Sequence, residues 1–434
     1  MDSKYCLYEF FKRNEPQISN FILNKEKELI TEEENDYFKN NSQPSTKDSD
    51  NYKNINQSST KDPDNNNQKN VKNKKNRKKK SLNYYMKQLS NGFFVKGGAR
   101  YLFFYDSSFN FIEKIEIDNN DIYENINCDN NSNIEIYVFS KNKISIIYIN
   151  QNGEISDIKK EITDIKEIGG FLFFKGETLF YICNDQGLYA LNKKSFDQIK
   201  FKLCYEIKAT FNGGIQINNC IISLTSNKNK PNEEEEIIFY NIYSEKKKSE
   251  TIGEYSFVTS HNNLALLPKS DENNKYLICA CKKKENQVNS LLLIKLELEK
   301  NDVIKKFYDE ANDNFEVYCF CPLSFVKNKK EIINAKNNVI KNTDFFLVGG
   351  FDKNKSKGLI KLYKLISNNE GISIQFIKNV DDFSKDNNMS VQTNNKIICI
   401  IQSKTDGKII ITFDNGESTS FQFDMLHLDQ IEVF

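Results

Sequence analysis

Short apolar runs of one type recur along most of this chain. Each run ends in an aromatic side chain, in most cases followed by a polar residue; the clearest are Leu102–Asp106, Ile146–Tyr148, Ile237–Asn241 and Ile360–Lys364. Asn, Asp, Gly and Lys fill the intervals between runs, as in turns. The chain has 33 Phe and 21 Tyr but 6 Pro, a composition that favours half-buried strands. A repetitive all-β architecture is therefore predicted.

One unit shows the pattern in full. The stretch Phe346–Asp352 predicts a strand that ends in two glycines and an acidic turn, and after a polar loop Gly358–Leu365 predicts a second strand. This unit resembles the second half of a WD repeat, with Tyr363 where a WD repeat has Trp. The resemblance implies a degenerate, WD-repeat-like β-propeller.

The strand pattern continues from residue 83 to residue 434. Counting strand clusters divides this region into seven candidate blades: 83–118, 119–163, 164–204, 205–252, 253–312, 313–382 and 383–434. Each would have about 50 residues, close to the length of WD and kelch repeats. The last blade would draw strands from Ile397–Ile401, Ile409–Phe413 and Ser420–Phe423, and a fourth from Gln430–Phe434 or the N-terminal region. The predicted fold is a seven-bladed β-propeller.

The first 82 residues have a different composition. Residues 1–38 are predicted to form a short N-terminal segment that contains a helix, because apolar residues within Pro16–Asn35 fall on one side of a helix. That helix would dock on the propeller or bind a partner. Residues 39–82 are a polar, low-complexity linker predicted to be disordered. Its basic run Lys69–Lys80 suits a solvated tail, a nuclear-import signal or loose phosphate binding.

Charge and hydropathy limit the partners. The chain carries 61 basic and 60 acidic residues, a net charge of +1, so no global field favours nucleic acid or an anionic membrane. It contains no run of about 18 apolar residues, and its N-terminus does not resemble a signal peptide. We expect a cytoplasmic or nuclear protein whose ten cysteines are reduced, and whose partners are proteins and not membranes or specific nucleic acids.

No catalytic or cofactor-binding motif stands out. The pairs Cys279/Cys281 and Cys319/Cys321 lie in predicted strands, which places each pair about 6.6 Å apart on one face and favours core thiols over a metal site. Neither His261 nor His427 accompanies a nucleophile motif. Glycine pairs, including Gly213–Gly214 and Gly349–Gly350, are predicted to be turns or bulges that need positive φ. The lysine triplets 246–248 and 282–284 are predicted to be solvated loops. The sequence predicts neither a metal nor a cofactor.

The resemblance to WD-like propellers implies where partners bind. They would use one face of the disc, formed by the loops between the second and third strands of each blade and by the loops between blades. On that mapping the candidate partner-binding residues are Arg100, Asp185, Asp352 and Lys353. The predicted function is a non-catalytic protein-interaction scaffold. The alternatives are a propeller enzyme and a propeller that binds a glycan or lipid head group.

Overall fold

The computed structural model describes twenty segments of the chain. They are residues 85–98, 101–116, 125–129, 134–140, 143–150, 154–156, 160–162, 171–175, 179–183, 187–192, 202–206, 210–226, 235–258, 263–267, 274–297, 302–309, 314–326, 339–368, 371–380 and 395–421. The predicted N-terminal helix and linker, the candidate residues Arg100 and Asp185, both histidines and Gln430–Phe434 lie outside them.

The described segments are all β and form seven antiparallel sheets. The first three sheets contain β1 (Tyr85–Gln88), β2 (Phe94–Gly98), β3 (Tyr101–Tyr105) and β4 (Phe111–Glu116); β5 (Asn125–Asp129), β6 (Ile134–Ser140), β7 (Lys143–Ile149) and β8 (Lys160–Ile162); β9 (Phe171–Lys175), β10 (Leu179–Cys183), β11 (Gly187–Asn192) and β12 (Lys202–Glu206). The fourth and fifth contain β13 (Thr210–Ile217), β14 (Cys220–Ser226), β15 (Glu236–Asn241) and β16 (Lys246–Thr251); β17 (Tyr255–Phe257), β18 (Leu264–Leu266), β19 (Asn274–Lys283), β20 (Asn289–Glu297) and β21 (Asp302–Asp309). The last two contain β22 (Phe315–Val326), β23 (Val339–Asp352), β24 (Lys357–Asn368) and β25 (Gly371–Asn379); β26 (Ile397–Gln402), β27 (Ile409–Phe413) and β28 (Ser418–Phe421).

Within every sheet, strands that follow one another in sequence pair side by side. The fifth sheet has one variation, because β17 and β18 pair with adjacent stretches of β19, Cys281–Lys283 and Leu277–Cys279. Together they act as one interrupted first strand. The structure thus confirms the all-β prediction for the described residues, and no helix that could cross a membrane occurs among them.

Neighbouring sheets pack face to face through apolar side chains. Val95 and Phe104 of the first sheet pack against Ile136 and Ile147 of the second, and all four are fully buried. Equivalent clusters fill the interfaces between the fourth and fifth, fifth and sixth, and sixth and seventh sheets. In the sheets whose burial is described, the second strand is therefore buried on both faces, which explains why its sequence is a continuous apolar run.

The first strand of each sheet contacts the first strand of the next, in the order β1, β5, β9, β13, β18, β22 and β26. The strand β26 in turn contacts β1. First strands therefore surround a common axis, and later strands of each sheet lie progressively further out. This is the arrangement of a β-propeller.

The first and last sheets pack directly on each other. Phe103 and Tyr105 of the first sheet share a buried cluster with Cys399 and Ile410 of the last. Gln88 adds two hydrogen bonds: its amide donates to Thr405 Oγ1 at 2.9 Å, and its oxygen accepts from the Lys404 backbone N–H at 2.6 Å. This seam joins residues more than 300 positions apart in the chain.

The glycine pairs of β13 and β23 both lie at β-bulges, as predicted, but the predicted positive φ occurs only in the first pair. Gly213 lies beside a bulge in β13 and has a φ of 155°. Gly349 and Gly350 of β23 have no positive φ. They are required because of close approach: a Cβ on Gly350 would lie 2.0 Å from the Glu316 carbonyl oxygen, and a Cβ on Gly349 would lie 2.6 Å from Ile400 Cδ1.

The four paired cysteines are buried in strands, as their sequence context predicted. Cys279 and Cys281 of β19 belong to the interface with the fourth sheet. Cys319 and Cys321 of β22 belong to the interface with the seventh. The two pairs face different interfaces, so their thiols do not converge on one metal ion. Burial raises the pKa of the Cys279, Cys319 and Cys321 thiols, which favours their neutral form.

Candidate functional site

Strand direction brings several charged residues to one face of the propeller, which we call the upper face. It carries the start of each first strand and the turn between each second and third strand. Glu316 lies at the start of β22, Lys353 lies in the turn between β23 and β24, and Lys396 directly precedes β26. Lys282 lies at the end of β19 in the preceding sheet. Three successive sheets thus contribute to one cluster.

Glu316 is the centre of this cluster, which we call the Glu316 cluster. Its carboxylate forms ion pairs with three lysines, at 2.8 Å from Lys353 Nζ, 3.7 Å from Lys282 Nζ and 3.8 Å from Lys396 Nζ. The Tyr318 hydroxyl donates to the same carboxylate at 2.6 Å and accepts from Lys396 Nζ at 2.9 Å. The Glu316 side chain is 16% exposed, whereas that of Lys353 is 52% exposed. A mostly buried acid therefore orders lysines that face solvent.

The electrostatics follow from this geometry. Burial alone would raise the pKa of Glu316, but hydrogen bonds from Lys353 and Tyr318 and the charges of Lys353 and Lys282 outweigh it and lower the pKa to about 2. Burial and the hydrogen bond to Glu316 raise the pKa of Tyr318. Burial also raises the pKa of Asp414, which accepts a hydrogen bond from the Lys396 backbone N–H. The cluster keeps Glu316 ionised and Tyr318 protonated.

The structure places two of the four predicted partner-binding residues at this site. Lys353 belongs to the Glu316 cluster, and the adjacent Asp352 caps the turn by accepting from the N–H groups of Asn354, at 2.9 Å, and Lys355, at 3.2 Å. An aspartate at the start of a turn commonly accepts such bonds. Arg100 and Asp185 lie outside the described residues, so their placement stays a prediction.

Sequence reasoning missed most of the cluster. The solvated loop predicted for Lys282–Lys284 is wrong: Lys282 and Lys283 are strand residues that pair with Glu316 and Glu254, and Lys284 donates to the Gly253 carbonyl. The carboxylate that organises the site, Glu316, carries no local motif. The one sequence feature that could have identified Glu316 as a site residue is its position directly after Phe315, at the start of a predicted strand.

Replacing Glu316 by glutamine is expected to lower the free energy of unfolding by about 2 kcal/mol, the scale of hydrogen bonds to a charged group. The depressed pKa means that this carboxylate stabilises the fold above about pH 4.5, and that the stabilisation is lost as the pH falls through about 2. Urea denaturation from pH 7 to pH 2 should therefore show a smaller acid-dependent loss in Glu316→Gln. The exposed Glu285→Gln should behave like the parent; equal pH dependence in all three proteins would contradict this role.

Comparison with known proteins identifies the fold. No protein-family model matches the chain, and no curated protein matches its sequence. Among solved structures it is similar to a chain of Kuenenia stuttgartiensis hydrazine synthase, with a TM-score of 0.53 and 10% identity over 78% of this chain and 94% of that one. It is also similar to a chain of a mitotic checkpoint complex, with a TM-score of 0.50 and 9% identity over 79% and 90%.

These similarities and the sheet arrangement define the class: the chain is a β-propeller. At about 10% identity they concern the fold and not the activity. One similar structure comes from a synthase and the other from a checkpoint complex. The function therefore has to be argued from the site.

Proposed function

We propose that the seven sheets are the blades of one seven-bladed, WD-repeat-like propeller that acts as a non-catalytic scaffold for protein partners. Partners would bind the upper face at the Glu316 cluster. The observation that carries this proposal is the convergence of Lys282, Lys353 and Lys396, from three successive sheets, on one mostly buried carboxylate. Ordering these side chains in advance reduces the entropy that binding would otherwise cost.

The surface chemistry favours acidic segments of a partner. Lys355 and Lys357 lie in or beside the same turn as Lys353, so five lysines surround the site. The acids among them are Glu316, Asp352 and Asp414. The surplus of positive charge steers acidic segments toward the face and sets the orientation of the complex. With a net charge of +1, the protein would bind through this local patch and would have neither membranes nor specific nucleic acids as partners, consistent with a cytoplasmic or nuclear location.

The test is affinity purification with quantitative mass spectrometry on the full chain. The triple variant Lys282→Gln, Lys353→Gln and Lys396→Gln should reduce the recovery of a stoichiometric partner about tenfold, since two or three rim charges contribute roughly 1 to 2 kcal/mol. The matched control changes three lysines near turns of the opposite face: Lys246→Gln, Lys404→Gln and Lys408→Gln. It should retain the partner.

Thermal unfolding of both triple variants separates lost binding from lost structure. A partner retained by the upper-face variant and lost by the control would place the interface on the opposite face. Turnover of a substrate by the purified chain, abolished by replacing His261 or His427, would instead favour the enzyme alternative.

A further inference from the structure

A cavity of about 400 Å³ opens between the fourth and fifth sheets, on the face opposite the Glu316 cluster. It lies where the β13–β14 turn and the β15–β16 turn of the fourth sheet meet the outer strands of the fifth. Its volume is within the range of small-molecule sites in proteins. The cavity is thus remote from the proposed protein-binding face and lies between blades, not in the central channel.

Strand register explains why the two sheets leave a gap here. At the last rung of the fourth sheet, Ile217 lies opposite Cys220, Cys220 opposite Asn241, and Asn241 opposite Lys246. Opposite residues of antiparallel strands point to the same face. The next residues on the same face, two positions further along each strand, have larger side chains, with Ile222 opposite Phe239. The interface is therefore filled two positions inward but left open where the short Cys220 and Asn241 side chains occur.

The same register gives the cavity an apolar floor and a basic rim. Ile217 and Phe239 line it from the fourth sheet, and the cross-strand neighbours Leu296 and Val303 line it from the fifth. Lys246, Lys247 and Lys248 of the outermost strand β16 line its outer rim and are exposed. The cavity is thus apolar at its inner wall and basic at its outer rim.

The charges around the rim favour an anion. Lys248 and Lys305 share one acid, Glu250, at 3.3 and 3.5 Å, and Glu297 at the rim pairs with Lys295. Glu245 is the further acid of the adjoining turn. The cavity lining therefore holds three lysines, at positions 246, 247 and 248, against one acid, Glu297. Burial raises the pKa of the Cys220 thiol to about 11, so the cavity wall itself is uncharged at neutral pH.

We propose that this cavity binds a small amphipathic anion, whose apolar body lies on Ile217, Phe239, Leu296 and Val303 and whose head group meets Lys246 and Lys248. An apolar floor alone would accept any hydrophobic molecule. The lysines at one end of it select for a charged head group and fix the orientation of the ligand. A carboxylate and a phosphate monoester share this chemistry.

Calorimetric titration of the full chain at low ionic strength tests the site, with decanoate, decyl phosphate and decanol as probes below their aggregation concentrations. One molecule of at least one anion should bind, at least tenfold more tightly than decanol, and the comparison of the two anions identifies the preferred head group. Higher salt should weaken the binding, because the rim charges are exposed.

Two variants locate the binding. Lys246→Gln with Lys248→Gln should weaken the binding of the anion about tenfold and leave that of decanol unchanged, whereas Lys404→Gln with Lys408→Gln in the seventh sheet should change neither. Cys220→Phe should fill the cavity and abolish binding. If this substitution lowers the Tm sharply, the test of the proposal depends on the Lys246/Lys248 variant alone. Failure of both anions to bind, equal binding of decanol, or an undiminished affinity in the Lys246/Lys248 variant would overturn the proposal.

Discussion

Replacing Gly350 by alanine is expected to lower the free energy of unfolding by about 3 kcal/mol or more, at the upper end of overpacking effects. The new methyl group would lie 2.0 Å from the carbonyl oxygen of Glu316, a backbone atom of the neighbouring strand. The register between β22 and β23 already shifts at this point, between Val317 and Cys319. The strand β22 would have to move, and it carries Glu316 with it.

Alanine substitutions at two other glycines separate a steric clash with the backbone from a clash with side chains and from backbone strain. Gly349→Ala meets the side-chain ends of Ile400 and Cys319, which can move, so we expect a smaller loss. Gly253→Ala has open space and a φ of +60°, so we expect about 1 kcal/mol from backbone strain alone. Urea denaturation of the three variants gives the order of their free energies of unfolding. A Gly350→Ala protein as stable as Gly253→Ala would show that the two strands do not approach as closely as described.

The second large change in the free energy of unfolding is expected on replacing Lys96, a fully buried lysine at the seam between the first and last sheets. Its Nζ donates to the Gly416 carbonyl at 3.0 Å and lies 5.0 Å from the centre of the Phe103 ring. Burial lowers the pKa of Lys96 to about 7, against a smaller opposing effect of Glu417. Holding this group in the folded state at pH 7 costs about 4 kcal/mol.

Lys96→Met should therefore raise the free energy of unfolding at pH 7 by roughly 1 to 3 kcal/mol, after the lost hydrogen bond is subtracted. Because the unfolded chain keeps the proton up to about pH 10.5, the burial cost falls as the pH rises from about 7 to 10.5. The advantage of the variant should shrink over that interval. Lys355→Met, at an exposed turn, should show no such trend. An advantage that stays constant from pH 7 to pH 10 would contradict the burial of this amine.

Strands were the most predictable part of the fold. The predicted strands of the last sheet, Ile397–Ile401, Ile409–Phe413 and Ser420–Phe423, occur as Ile397–Gln402, Ile409–Phe413 and Ser418–Phe421. The predicted turn after Asp352 is also present. Apolar periodicity and turn-forming residues are local signals, so they can be read without knowledge of the tertiary structure.

Contacts between sheets could not be predicted in the same way. Glu316 and Lys396 lie 80 positions apart in the sequence, and they meet because each precedes or begins a first strand of adjacent sheets. The requirement for glycine at position 350 likewise depends on how closely β22 approaches β23. Lys96, in a short apolar strand, gives no sign in the sequence that it reaches the last sheet. These features depend on the relative positions of whole sheets.

The central claim is that the first and last sheets pack together and close the ring, and photo-crosslinking from position 88 tests it most directly. The full chain would carry p-benzoylphenylalanine in place of Gln88, whose side chain contacts Lys404 and Thr405. Irradiation should crosslink it within one chain to the segment 403–405, and the same group at the exposed position 287 of the fifth sheet should not reach that segment. Absence of the crosslink, or its formation only between two chains, would contradict a ring closed by these two sheets.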